Sequence, residues 1–77
     1  MLFLIEYDRE HGKLVTLRSF NDSEGQVAEG VRLELELDLN RRKIEHEVVI
    51  LEAASEEAVR RTHRRYFETL EELLKAS

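Results

Sequence analysis

The chain has 77 residues, 17 of them acidic and 12 Lys or Arg, for a formal net charge of −5, and it contains no Cys and no Pro. A chain of this length holds one domain and one core, burying only about 60% of its unfolded surface, so support from a second copy is expected. The lack of Cys excludes disulfides and Cys-ligated zinc or iron–sulfur centres, and it fits a reducing compartment. The negative balance argues against a general polyanion binder, because neutralising phosphates is what supplies non-specific nucleic-acid affinity.

With 42% hydrophobic and 38% charged residues the composition is that of a globular chain. No apolar run approaches the roughly 18 residues of a membrane span. The apolar start Met1–Ile5 lacks a basic flank and is interrupted by Glu6 and Asp8, so it does not read as a signal peptide. A cytoplasmic, single-domain protein spanning 1–77 is expected.

Leu2 to Tyr7 is a nearly continuous apolar run, the pattern of a strand near the middle of a sheet. Asp8-Arg9-Glu10-His11-Gly12 reads as a turn, with Gly12 free to take positive φ. Lys13 to Phe20 carries Val15, Thr16 and Phe20 and suits a second strand, giving a β-hairpin. Asn21-Asp22-Ser23 offers helix caps, and Glu24 suits the positive end of a helix.

Residues 31–39 admit two readings. Val31, Leu33, Leu35, Leu37 and Leu39 alternate with charged residues, which is a strand period. Leu and Glu are helix formers, however. On a helical projection Val27, Ala28, Val31, Leu35 and Leu39 share one sector, with Leu33 and Leu37 roughly opposite. A helix over about 22–40 is favoured, although Gly25 and Gly30 each weaken it by about 1 kcal/mol relative to Ala. The strand reading gives a four-stranded meander followed by one helix.

Arg41-Arg42-Lys43 forms a basic connection, and the apolar run Val48–Leu51 places a third strand at 47–53. Ser55 then caps an amphipathic helix over about 56–75, with Val59, Thr62, His63, Tyr66, Leu70, Leu73 and Leu74 along its apolar stripe. The expected fold is α/β of the α+β kind: a two-layer ββαβα unit, a three-stranded mixed sheet with the first strand central, and both helices on one face.

The runs Glu47-Val48-Val49-Ile50-Leu51-Glu52-Ala53 and Thr62-His63-Arg64-Arg65-Tyr66-Phe67 resemble those of a family of small bacterial proteins of unknown function. The resemblance covers residues 47–67 only and implies no activity.

Several constellations bear on function. His63 lies within an apolar stripe, a buried titratable candidate that a small enzyme would pair with a carboxylate such as Glu52. Asp8, Glu10 and His11 cluster in a turn but lack the ligand count of a calcium loop. In Glu45-His46-Glu47 the two carboxylates share a strand face that the imidazole does not, a poor tridentate arrangement. No catalytic residue, metal site or cofactor is therefore assigned.

Arg41, Arg42, Lys43, Arg60, Arg61, Arg64 and Arg65 are seven of the twelve basic residues and form a candidate anion- or nucleic-acid-binding surface. The pairs Glu56–Arg60, Glu57–Arg61 and Arg64–Glu68 account for much of it as intramolecular i,i+4 bridges. Residues 22–38 are the acidic counterpart, available to a basic partner protein.

Three strands with apolar residues on both sides cannot be covered by helices on one face. The expected function follows: a non-enzymatic binding or interaction module that pairs with a second copy through Leu2, Leu4, Val48 and Ile50, or their alternates by one position, joined by Leu33 and Leu37. Neither a membrane nor nucleic acid is the expected partner.

Overall fold

In the computed structural model, residues 1–68 are described. Strand β1 (Leu2–Asp8) is followed by β2 (Lys13–Phe20), a 3-10 turn over Asp22–Glu24, helix α1 (Gly25–Arg41), strand β3 (Glu47–Glu52), helix α2 (Glu56–Thr62) and a 3-10 turn over Arg64–Tyr66. The strand order is β2-β1-β3, so the apolar β1 is central as its composition requires.

Both neighbours run antiparallel to β1, with Ile5 opposite Leu17 on one side and Val49 on the other. The sheet is therefore wholly antiparallel rather than mixed. β2 and β3 do run parallel to each other, but β1 lies between them and they never pair.

Residues 31–39 are helical. Ala28 and Leu39 are buried, Val31 and Leu35 are partly buried, and Leu33 and Leu37 point outward, which accounts for the period-two pattern within a helix. α1 ends in a Schellman arrangement: the Ile44 N–H donates to Leu39 O at 2.9 Å and the Lys43 N–H to Asn40 O at 3.1 Å. Lys43 occupies the left-handed position at φ 58°, where Gly is the usual residue.

The helical segments lie on opposite faces of the sheet, not on one. Leu4, Phe20 and Ala28 form one core cluster, with Leu2, Val31, Val48 and Ile50 packed against it beneath α1. Ile5, Tyr7 and Tyr66 form the other, with Leu14, Leu17, Val49, Leu51 and Phe67 around them. The reason lies in β1 itself, where Phe3, Leu4 and Ile5 are each no more than 1% exposed, so both faces must be roofed. Roofing these three side chains contributes about 1.5–3 kcal/mol apiece relative to leaving them in water.

α2 is shorter than the sequence period suggests. Ser55 caps it by accepting from the Ala58 N–H at 3.1 Å, and the helix stops at Thr62. His63 leaves helical geometry (φ −126°, ψ 52°), and the following 3-10 turn lays Tyr66 on Tyr7, edge to face at 5.2 Å. Aromatic packing on the sheet thus wins over continued helix. The expected stripe residues Leu70, Leu73 and Leu74 lie outside the described residues.

Candidate functional site

The end of the sheet next to the β1–β2 turn carries the most unusual chemistry. Glu6 sits on the central strand and is only 5% exposed. A buried carboxylate needs hydrogen bonds to offset its lost hydration. Glu6 Oε1 accepts from Thr16 Oγ1 at 2.8 Å, and Oε2 lies 2.6 Å from His46 Nδ1. The β1–β3 register supplies the imidazole: Glu6 pairs with Val48, so His46, two residues earlier, lies on the same sheet face and near the level of Asp8.

Beyond His46 the chain of polar groups continues. His46 Nε2 lies 3.8 Å from Asp8 Oδ2, and the same oxygen lies 2.7 Å from His11 Nδ1 in the turn. The His11 N–H also donates to Asp8 Oδ1 at 3.1 Å. For the Asp8 carboxyl, burial acts to raise the pKa, but the hydrogen bonds from His11 and the charges of His11 and His46 outweigh it and hold the group below its ordinary value. Asp8, Glu10, His11, Lys43, Ile44, Glu45 and His46 line an open groove of about 370 Å³.

A β-bulge marks the same place. Glu6 pairs with Thr16 and Tyr7 with Leu14, so Val15 has no partner across the ladder and stands 50% exposed. Bulges re-aim side chains and are frequent beside functional sites. Here the bulge sits where Glu6 and Thr16 meet.

On the opposite face at this end, Glu47 binds Tyr66 Oη, which donates to Glu47 Oε2, and Arg65 Nη2 at 3.0 Å, with Arg9 Nε at 3.6 Å. The Tyr66 hydrogen bond, reinforced by Arg65 and Arg9 against burial, keeps the Glu47 carboxyl below the ordinary range. Burial and the adjacent Glu47 push the Tyr66 hydroxyl up to about 12. Glu47 and His46 thus serve different faces, as their alternation along the strand requires.

The other expected sites fare differently. Leu2, Leu4, Val48 and Ile50 lie beneath α1, and their alternates Ile5, Val49 and Leu51 lie beneath Tyr66 and Phe67, so neither sheet face offers an open interface. Of the expected set only Leu33 and Leu37 are open to solvent, at 56% and 54% exposed. The imidazole set between carboxylates is His46, at 18% side-chain exposure, not His63. His63 caps the end of α2, half-buried, with Thr62 Oγ1 2.9 Å from its Nδ1 and no carboxylate contact among the described residues.

Most of the basic residues are held by carboxylates of the chain itself. Arg42 pairs with Asp38 at 2.8 Å, Arg60 with Glu56 at 3.4 Å, Arg64 with Glu68 at 2.8 Å and Arg65 with Glu47. Arg60 and Arg65 also lie over the Phe67 and Tyr66 rings at 4.6 and 4.2 Å. The bridges at Glu56–Arg60 and Arg64–Glu68 are those the i,i+4 spacing predicts.

No protein-family model, curated protein or solved structure matches the chain significantly. No described helix is long and apolar enough to cross a membrane.

Proposed function

We propose that the chain is a non-enzymatic interaction module whose recognition surface is the outer face of α1, and that its partner is a basic amphipathic helix. The observation that carries the reading is the outward strip Gly30, Leu33 and Leu37, with both leucines more than half exposed. Its i, i+3, i+7 spacing is that of a seam between two packed helices.

Gly30 supports the same reading. A mid-helix Gly weakens a helix by about 1 kcal/mol relative to Ala. A Cβ at Gly30 meets nothing within 4 Å among the described residues, so packing against them does not demand Gly there. A bare backbone at the middle of the strip suits the close approach of another helix.

Charge selects the occupant. Glu29, Glu34, Glu36 and Asp38 stand on α1 against Arg32 and Arg41. Arg32 bridges Glu29 at 2.8 Å and Glu36 at 3.1 Å, on one flank of the helix. Pairing two copies of α1 sets acidic flanks against acidic flanks, whereas Lys or Arg beside an apolar seam complements them.

Covering the exposed parts of two leucines is worth about 2–3 kcal/mol, or roughly 30- to 150-fold in Kd. The test uses an amphipathic Leu/Lys helical peptide and its Leu/Glu counterpart, read by fluorescence anisotropy. The Leu/Lys peptide is expected to bind the wild-type chain, and the L33Q/L37Q variant is expected to lose at least ten-fold in affinity. Equal binding by both proteins, or no preference for the basic peptide, overturns the reading. So does a wild-type dimer in sedimentation that L33Q/L37Q dissociates, since the occupant is then a second copy.

A further inference from the structure

Four acidic side chains stand on α1, and three of them are matched within the chain. Glu29 and Glu36 bridge Arg32 at 2.8 and 3.1 Å, and Asp38 bridges Arg42 at 2.8 Å. Glu34 is exposed and has no ion pair among the described residues. Its place in the helix also differs. Val27, Gly30 and Leu37 recur at the spacing of a helix seam, and Glu34 takes the position in that row between Gly30 and Leu37. A single polar residue in an otherwise apolar seam costs stability and selects partner and register.

Gly30 gives that carboxylate a subsite. A helical side chain lies over the turn N-terminal to its own Cα, so Glu34 borders the space above Gly30. Gly30 is exposed, and a Cβ there meets nothing within 4 Å among the described residues. The helix surface is therefore notched at this point. Val27, three residues before, and Leu33, three after, are the apolar walls of the notch, at 54% and 56% exposed. The exposed amide of Gln26 completes the rim. Apolar walls with an acid at one end fit a side chain that has an aliphatic stem and a cationic head.

We infer that the notch at Gly30 takes one Lys or Arg side chain of the partner helix, its methylenes against Val27 and Leu33 and its charge on Glu34. The inference rests on α1 being the recognition face and adds the partner's register: one cation lies in the apolar seam itself, not only along its flanks. An apolar residue at that point covers Glu34 without pairing it, and an acid opposes it, so both are selected against.

The test uses amphipathic Leu/Lys helical peptides that differ at one residue in the middle of the apolar seam, Lys in one and Gln in the other, read by fluorescence anisotropy at low salt. Wild type is expected to bind the Lys peptide at least five-fold more tightly. E34Q is expected to remove that preference, and E34K to reverse it in favour of a third peptide with Glu at the same position. Gly30→Leu fills the notch and is expected to reduce the preference as well. It raises helix propensity and meets no described atom, so its melting temperature is expected not to fall, and its loss of preference does not reflect unfolding. Equal affinity of wild type for the Lys and Gln peptides, or a preference that survives undiminished in E34Q or in Gly30→Leu, overturns the subsite. Recognition through α1 still stands in that case if L33Q/L37Q loses binding, whereas a wild-type chain that binds none of the peptides overturns both.

Discussion

Replacing His46 by Leu tests the polar end of the sheet most sharply. The substitution leaves the Glu6 carboxylate, 5% exposed, with Thr16 Oγ1 at 2.8 Å as its one remaining partner among the described residues. Stripping a hydrogen-bond partner from a buried carboxylate costs about 3 kcal/mol, the upper end for an unsatisfied buried polar group because this one is a carboxylate. At about 0.05–0.15 kcal/mol per residue the whole fold holds roughly 4–12 kcal/mol, so a quarter or more of the stability is at stake. At about 4–8 °C per kcal/mol the melting temperature falls by roughly 12–25 °C.

Adding Glu6→Leu to His46→Leu removes the stranded carboxylate and is expected to recover much of that loss, although Thr16 then lacks its acceptor. The assay is urea unfolding of wild type, both single variants and the double variant, followed by circular dichroism near neutral pH. A double variant no more stable than His46→Leu alone refutes the reasoning, because Glu6 and His46 are then uncoupled. A His46→Leu variant within about 1 kcal/mol of wild type refutes it too, since a stranded buried carboxylate costs more than that.

Two further outcomes follow from the opposite face and from the end of α1. The Tyr66 hydroxyl is raised to about 12 from an ordinary 10, so the stability it contributes is full below about pH 10 and is lost as pH rises through 12. Glu47 is shifted the other way, so its contribution is present above the ordinary carboxylate value and is lost as pH falls through its lowered one. An absorbance titration should show one late-ionising tyrosine that disappears in Tyr66→Phe, and two tyrosines ionising together near 10 contradict the assignment. At Lys43, φ 58° costs a non-Gly residue about 1–2 kcal/mol, partly offset by the extra freedom Gly gives the unfolded chain. Lys43→Gly is therefore expected to stabilise the chain by about 0.5–1 kcal/mol in urea unfolding, and destabilisation contradicts the Schellman reading of the α1 end.

The class of fold was legible because it rests on local signals. The uninterrupted apolar run of β1 marks a central strand, Gly12 closes the hairpin at φ 64°, and Ser55 caps α2. The placement of the helices was not. Two-sided burial of Phe3, Leu4 and Ile5 is visible as pattern, yet nothing local says which segment roofs which side, so a covered face reads as an open one. The end of α2 was missed for a similar reason: no Gly or Pro marks Thr62, and the break comes from the contact of Tyr66 with Tyr7.

The Glu6–His46 pair depends on a partner 40 residues away in sequence and on a register that only strand pairing sets. A Glu at the fifth place of the otherwise apolar run Leu2–Tyr7 was the one signal available for it. A lone acid in a run that buries its neighbours needs a partner. His63 occupies a position on the helical stripe of the sequence, but the helix ends just before it.

The outer face of α1 is where the proposed function stands or falls. Methyl NMR of the chain during titration with the Leu/Lys helical peptide reads that face directly. The methyl signals of Leu33 and Leu37 should shift in proportion to occupancy while those of Leu4 and Ile5, buried on either side of the sheet, stay fixed. Leu33 and Leu37 signals that do not move, or shifts that spread equally to the core methyls, contradict recognition through α1.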